Sequence, residues 1–170
     1  RTPVLEIEGV KSLHGAEYSI INDRIEAGTF MIATAITGGD VLIKGANIEH
    51  LGAVIDKLKD VGVKITNTKD GLRVVKTGFI NPVDVTTLPY PGFPTDMQAQ
   101  MMVLMCITKG ISVITEKIYP ERFMHISELA RMGAHIILEG SSAIVKGVSK
   151  LSAAPVMASD LRASAGLVLA

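Results

Sequence analysis

The feature that most constrains the fold of this chain is an internal repeat with a constant spacing of 71 residues. The corresponding positions are Ile36 and Thr37 with Ile107 and Thr108, Gly62 with Gly133, and residues 72–75 with residues 143–146. A constant offset over roughly forty residues is hard to obtain by chance and is typical of a duplicated structural unit. The spacing therefore predicts two copies of one supersecondary unit.

Apolar periodicity gives the secondary structure of each copy. In the first copy it predicts strands at 6–10, 18–21 and 41–44, helices at 23–36 and 48–60, and a hairpin of strands 63–66 and 72–75. In the second copy it predicts strands at 83–87 and 112–115, helices at 95–107 and 122–131, and a hairpin of strands 134–138 and 143–146. We therefore predict an α/β fold of repeated βαβαββ units, at 6–78 and 79–150, with the start of a truncated third at 151–170.

Composition narrows the class of protein. Lys+Arg equals Asp+Glu at 17 each, so the charge balance does not indicate nucleic acid or a membrane surface as a partner. Gly, Lys or Asp interrupts every apolar run before the roughly 18–20 residues needed to cross a bilayer. The single cysteine, Cys106, allows no disulfide within the chain, and with no signal peptide this predicts a cytoplasmic location. The start at Arg1 instead of Met and the end at Ala170 inside a helical pattern lead us to expect part of a longer protein.

Acidic residues stand at the predicted starts of three similar helices. Thr95 offers a hydroxyl as an N-cap, and Asp96 falls in the first turn, where the helix dipole favours an acid. Asp23 and Asp160 open similar small, apolar helices, so the device is repeated. The acids Asp96 and Asp160 suit removal of a proton from a substrate hydroxyl. Pairing of an acid with a nearby cation, such as Asp160 with Arg162 two residues later, or with the neighbouring unit explains them as well.

A difference between the two copies singles out Arg122. At the offset of 71 residues it replaces Leu51, which belongs to an apolar helix stripe. The arginine either reaches solvent with its stem on the core or holds a carboxylate or phosphate through a bidentate contact. Arg162 adds a second cation two residues after Asp160.

Other chemistry-bearing residues indicate no further site. Cys106 lies in an apolar helix, which predicts a buried thiol of raised pKa instead of a nucleophile. The histidines show no metal-ligand spacing, and His125 in an apolar helix indicates packing. No glycine-rich nucleotide-binding motif is present in the sequence, and we expect no metal or cofactor. The residues alone predict an α/β repeat domain that can bind an anion.

Several long sequence segments resemble those of one protein family. They are Phe93-Pro-Thr-Asp-Met-Gln-Ala-Gln100, Arg122-Phe-Met-His125, Glu128-Leu-Ala-Arg-Met-Gly-Ala134 and Asp160-Leu-Arg-Ala-Ser-Ala165, with Leu13-His-Gly15 and Asp23-Arg-Ile-Glu-Ala-Gly28. In these strings the chain resembles the UDP-N-acetylglucosamine 1-carboxyvinyltransferases, enolpyruvyl transferases that commit a sugar nucleotide to peptidoglycan. The resemblance is in register over essentially all 170 residues.

The resemblance implies a two-lobed enzyme. Each lobe is an inside-out α/β barrel of three βαβαββ units, with helices inside and sheets outside, and this chain forms most of one lobe. Phosphoenolpyruvate and UDP-N-acetylglucosamine bind between the lobes. The sugar 3′-hydroxyl adds to the enolpyruvyl carbon, and the tetrahedral intermediate then loses phosphate.

The resemblance also implies roles for particular residues. Asp96 matches the acid that contacts the sugar hydroxyl and is proposed as its base. Ile118, with Tyr119 beside it, matches a position that contacts the sugar nucleotide. The charged residues that match the phosphoenolpyruvate side of the cleft are Arg122, Asp160 and Arg162. The pair Pro120-Glu121 departs from the pair that is frequent in the family, which leaves the surroundings of Arg122 less defined.

Other parts of the family's site are expected outside this chain. The reactive cysteine, a Lys-Asn pair and a substrate arginine belong to the other lobe, and a further arginine follows the position of Ala170. We therefore expect no turnover from this chain alone. Two kinds of alternative stay open: a 5-enolpyruvylshikimate-3-phosphate synthase-like or RNA cyclase-like enzyme of the same architecture, and a non-catalytic repeat-built binding domain.

Overall fold

The structure, a computed structural model, describes residues 4–170, so Arg1 lies outside the described residues. The first copy of the repeat begins with a helix that Asp23 caps. Its elements are helix α1 (Arg24–Thr37), strand β1 (Asp40–Lys44), a 3₁₀ turn (Ile48–His50), helix α2 (Gly52–Val61), and strands β2 (Val63–Thr68) and β3 (Gly71–Lys76). The three strands form an antiparallel sheet in the order β1-β3-β2.

The second copy repeats this arrangement and adds one strand. Its elements are strand β4 (Val85–Thr86), a 3₁₀ turn (Thr95–Met97), helix α3 (Gln98–Cys106), strand β5 (Ile111–Thr115), helix α4 (His125–Arg131), and strands β6 (His135–Glu139) and β7 (Ser142–Lys146). The sheet order is β4-β5-β7-β6, in which only β4 and β5 are parallel. Helix α5 (Leu161–Leu169) follows.

Backbone contacts in the two copies agree at the spacing of 71 residues. Lys44 pairs with Gly71 at the end of β1, and Thr115 pairs with Ser142 at the end of β5. The order β5-β7-β6 repeats β1-β3-β2. The repeat predicted from the sequence is therefore visible in the strand register, while the unit boundaries at 6–78, 79–150 and 151–170 stay a prediction.

The predicted strands at 6–10 and 18–21 are wrong. Residues 4–23 contain no helix or strand, and apolar side chains along them, such as Leu5 and Leu13, are exposed. Alternation of apolar residues predicts a strand, but a strand also needs a neighbour for its backbone hydrogen bonds. Among the described residues, no strand pairs with this segment.

Two helix starts also differ from prediction. The helix predicted from residue 122 begins at His125, so Arg122 lies in the preceding loop. The helix predicted from residue 95 begins with a 3₁₀ turn, and the Thr95 hydroxyl does not cap it but donates to Glu116 Oε2 at 2.9 Å. A buried carboxylate competes successfully for this hydroxyl because it has few other ways to satisfy its oxygens.

Helix α3 forms the centre of the core. All nine of its residues are buried, as its almost wholly apolar sequence requires. It packs against α1 and α5 and against strands β5 and β7. Gly166 of α5 lies so close to Ala99 of α3 that an added Cβ would stand 3.2 Å from the Ala99 Cβ. No helix between residues 4 and 170 has both the length and the apolar character to cross a membrane.

Candidate active site

Three chain segments bring four charged side chains together. Asp96 lies in the 3₁₀ turn before α3, and Arg122 lies in the loop before α4. Asp160 is the N-cap of α5, and Arg162 is in the first turn of that helix. Helices α3 and α5 pack against each other, and Arg122 lies between Asp96 and Asp160 of successive units.

The four residues Asp96, Arg122, Asp160 and Arg162, here called the charge quartet, alternate in sign. Arg122 Nη1 donates to Asp96 Oδ1 at 3.0 Å, and Arg122 Nη2 lies 3.6 Å from Asp160 Oδ1. Arg162 Nε lies 3.7 Å from the same Asp96 oxygen. Asp96 and Arg122 therefore lie together and pair with each other.

The surroundings of the charge quartet favour the ionised form of Asp160. The Ala163 N–H donates to its carboxylate at 2.8 Å, and this bond, with the nearby Arg122 charge, holds the pKa of Asp160 below its usual value. The Asp96 side chain is 37% exposed, whereas that of Asp160 is 22% exposed. Of the two acids, Asp96 is the one that a molecule in solution reaches more easily.

The three acids at helix starts differ in their hydrogen bonds, since Asp23 and Asp160 are N-caps whereas Asp96 lies in the first turn, as predicted. Asp23 accepts from the Ile25 N–H at 2.7 Å, and Asp160 accepts from Arg162 and Ala163. Asp96 lies one residue inside its turn and makes no such cap bond. The equivalence expected for Asp96 and Asp160 therefore does not hold at the level of hydrogen bonds.

The predicted sugar-nucleotide positions lie beside the charge quartet. The Tyr119 side chain is exposed, and the Arg122 guanidinium carbon is 5.7 Å from the centre of its ring. Ile118 is half-buried one residue earlier. An exposed aromatic ring next to a cation offers a flat apolar surface at the edge of an anion-binding site. The structure thus brings all six predicted site residues into one region.

Two buried polar residues behind the charge quartet were not predicted as site residues. His125 is 3% exposed and packed as expected, and burial lowers its pKa to about 4, with Asp160 opposing and Arg122 adding to the shift. Its Nε2 has no hydrogen-bond partner among the described residues. Glu116 is fully buried. The comparison that singled out Arg122 also reveals Glu116, because the residue 71 positions earlier is Gly45.

The cysteine agrees with the prediction of a buried thiol. Burial raises the pKa of the Cys106 thiol to about 12, so this thiol is not a nucleophile at neutral pH. Across residues 4–170, no three His, Cys, Asp or Glu side chains cluster as metal ligands would.

Solved structures with this architecture define the class of protein. The enolpyruvyl transferase NikO from Streptomyces tendae matches with a TM-score of 0.75 at 25% identity, over 88% of this chain and 36% of that chain. EPSP synthase from Acinetobacter baumannii matches with a TM-score of 0.64 at 16% identity, over 89% of this chain and 37% of that chain. The fold is that of the enolpyruvyl transferases, which confirms the predicted α/β class.

The sequence comparison then gives the family. The profile of EPSP synthase (3-phosphoshikimate 1-carboxyvinyltransferase) matches residues 1–170, and the chain belongs to this family. UDP-N-acetylglucosamine 1-carboxyvinyltransferase 1 of Caldanaerobacter subterraneus subsp. tengcongensis is 59% identical over 99% of this chain and 41% of its own length. The enzyme of that name from Granulibacter bethesdensis is also 59% identical, with 40% of its length covered. The predicted resemblance is confirmed, and the chain spans about two fifths of these relatives.

Proposed function

We propose that the full-length protein transfers the enolpyruvyl group of phosphoenolpyruvate to the 3′-hydroxyl of UDP-N-acetylglucosamine and releases phosphate. The observation that carries this proposal is the charge quartet, which lies beside an exposed aromatic side chain in a chain 59% identical to enzymes with that name. In the cell this reaction would begin peptidoglycan synthesis, and so support cell shape and division. The single, buried and unpaired Cys106 is compatible with the cytoplasm as its location.

The proposed chemistry has two steps that this chain's residues assist. Asp96 takes the proton of the sugar 3′-hydroxyl as its oxygen bonds to C2 of phosphoenolpyruvate, while C3 gains a proton that comes from solvent and returns to it in the second step. The tetrahedral adduct then loses phosphate from C2 and a proton from C3, which restores the double bond. We assign Arg122 and Arg162 to the anionic groups of phosphoenolpyruvate, because guanidinium groups bind carboxylate and phosphate in bidentate fashion.

Asp160 has a supporting role in this proposal. Its carboxylate accepts two backbone N–H groups of α5 and lies near Arg122, so it orients that guanidinium. Ile118 and Tyr119 are proposed to contact the sugar nucleotide. The rest of the cleft would be formed by the other lobe of the same protein, outside this chain.

The test is the acceptor specificity of the full-length protein. Phosphate release from phosphoenolpyruvate is measured with UDP-N-acetylglucosamine and, separately, with shikimate 3-phosphate. We expect release with the sugar nucleotide alone. Release with shikimate 3-phosphate alone would favour the 5-enolpyruvylshikimate-3-phosphate synthase-like alternative, and binding of either acceptor without release would favour a binding domain.

A further inference from the structure

A fully buried carboxylate, that of Glu116, lies behind the charge quartet at the end of β5. Four donors reach it: the Thr87 hydroxyl at 2.6 Å, the Thr95 hydroxyl at 2.9 Å, and the backbone N–H groups of Ile118 at 2.8 Å and Tyr119 at 3.0 Å. A buried carboxylate is costly unless its oxygens are satisfied in this way. The donors that Glu116 accepts from therefore identify the chain segments that this residue connects.

The four donors belong to three different parts of the chain. Thr87 follows strand β4, and Thr95 starts the turn that carries Asp96. The two backbone donors belong to residues 117–122, here called the 117–122 segment, which ends at Arg122. The Thr95 hydroxyl oxygen also accepts from Arg122 Nη1 at 3.3 Å. One carboxylate thus joins the turn of Asp96 to the segment of Arg122.

The first copy of the repeat shows that the fold itself does not need this carboxylate. Gly45 occupies the corresponding position, and its N–H donates to Asp70 O at 2.8 Å. The Glu116 N–H donates to Ser141 O at 2.8 Å, which is the same backbone bond 71 residues later. This backbone bond therefore forms without a side chain at the position, although Gly45 has a φ of 71° and no residue other than glycine, Glu116 included, has a positive φ among the described residues. Glu116 is an addition of the copy that contributes Asp96 and Arg122 to the charge quartet.

We propose that Glu116 is the positioning residue that sets the 117–122 segment against the Asp96 turn, and so sets the distance between the base and the substrate-binding residues. This inference rests on the proposed function for its catalytic consequence. Glu116 acts through Ile118, Tyr119 and Arg122, and does not touch substrate.

The experiment uses the full-length protein with two substitutions. Glu116→Gln keeps Oε1 for the two backbone donors, and its Nε2 donates to Thr95 Oγ1. Glu116→Ala leaves those donors without an acceptor. The matched control is Thr108→Val, which removes another buried hydroxyl bond, to Leu104 O at 2.6 Å, beyond the far end of α3. The nine residues of α3, about 14 Å of helix, separate it from the Asp96 turn.

We expect Glu116→Ala to lower kcat per folded molecule by 100-fold or more and to raise KM for the sugar nucleotide. Glu116→Gln should stay within about 10-fold of the parent in kcat, because Oε1 still accepts the Thr87 hydroxyl and the two backbone N–H groups and only the bond to Thr95 reverses its direction. Thr108→Val should lose thermal stability but keep kcat. Equal kcat in Glu116→Ala and the parent would overturn the proposal, and so would an equal loss in Thr108→Val.

A second readout does not depend on turnover. Backbone amide hydrogen exchange at Ile118 and Tyr119 should accelerate at least 10-fold in Glu116→Ala and not in Thr108→Val, since only the first removes their acceptor. Unchanged exchange in Glu116→Ala would overturn the positioning role. If the parent protein itself shows no enolpyruvyl transfer, the proposed function fails, and amide exchange still decides the role of Glu116.

Discussion

Asp96 and Asp160 differ in how many backbone hydrogen bonds their carboxylates accept. Asp160 Oδ1 accepts two backbone N–H groups, and its lowered pKa makes it a weak base. Asp96 makes no cap bond, and its carboxylate pairs with the guanidinium groups of Arg122 and Arg162. At the scale of single residues, the proton-transfer role therefore fits Asp96 better than Asp160.

This difference predicts the effect of Asp96→Asn in the full-length protein. We expect kcat to fall 100-fold or more because the amide cannot take the hydroxyl proton, while the affinity for sugar nucleotide changes little. Steady-state phosphate release and calorimetric binding measure the two quantities. The control is Asp40→Asn, which removes a carboxylate from an exposed ion pair with Arg73 and should leave both unchanged. Near-normal turnover in Asp96→Asn would contradict the assignment.

His125 predicts a pH dependence of stability. Its pKa is about 4 in the folded protein against 6.5 when unperturbed, so below pH 6.5 the unfolded state binds the extra proton. Stability is therefore lost as pH falls from about 6.5 to about 4, by about 3 kcal/mol from this group. Urea unfolding followed by circular dichroism should show His125→Gln losing less stability than the parent over that range. Parallel curves would show that the ring titrates normally.

At the scale of elements, the crossing of α3 and α5 determines where the charge quartet forms. Gly166 allows the two helices to approach until its hydrogen faces Ala99, which is itself buried. The same approach brings Arg162 of α5 to Asp96 before α3. Separation of the helices would therefore weaken packing and the site together.

The crossing can be tested with a matched pair of glycines. Gly166→Val places side-chain atoms against Ala99 and should lower Tm by several degrees and reduce kcat, because overpacking costs about 1–3 kcal/mol. Gly52→Val makes the same change at the start of α2, where nothing lies within 4 Å of an added Cβ, and should alter neither quantity appreciably. Equal Tm values for the two variants would argue against a tight crossing.

Sequence-based prediction succeeded for elements that depend on local patterns and failed for those that depend on contacts between distant parts of the chain. The hairpins and most helices were predicted because periodicity and glycine stops are local, and the repeat supplied an independent check. The strands at 6–10 and 18–21 failed because strand pairing depends on a distant partner. The charged site residues could be predicted from the resemblance to a known family and from differences between the two repeats. The hydrogen bond from Thr95 to Glu116 could not be predicted, because it joins residues that are distant in the sequence.

At the scale of the whole molecule, this chain holds only part of the proposed cleft. It spans about 41% of a curated relative, and the charge quartet is open to solvent on the side of Asp96. A second lobe would exclude water and strengthen the interactions of these charges with an anion. Without a second lobe, the four side chains of the charge quartet pair with one another.

We therefore predict that residues 1–170 alone release no phosphate from phosphoenolpyruvate and bind UDP-N-acetylglucosamine at least 100-fold more weakly than the full-length protein, because closure cannot offset the ordering cost. Calorimetry on both proteins tests this, with circular dichroism as the control for folding. Full-strength binding by the isolated chain would show that this chain forms most of the acceptor site.

The duplicated strand ends at Gly45 and Glu116 have a consequence for engineering. One copy forms the backbone bond at the strand end with a glycine, and the other copy forms the same bond with a residue that also carries a carboxylate. Side chains that the repeat fold does not require can thus be identified by comparing corresponding positions of the two copies within one chain, without a second protein as a reference. Reverting them one at a time toward the plainer copy offers a route to a catalytically silent but intact scaffold.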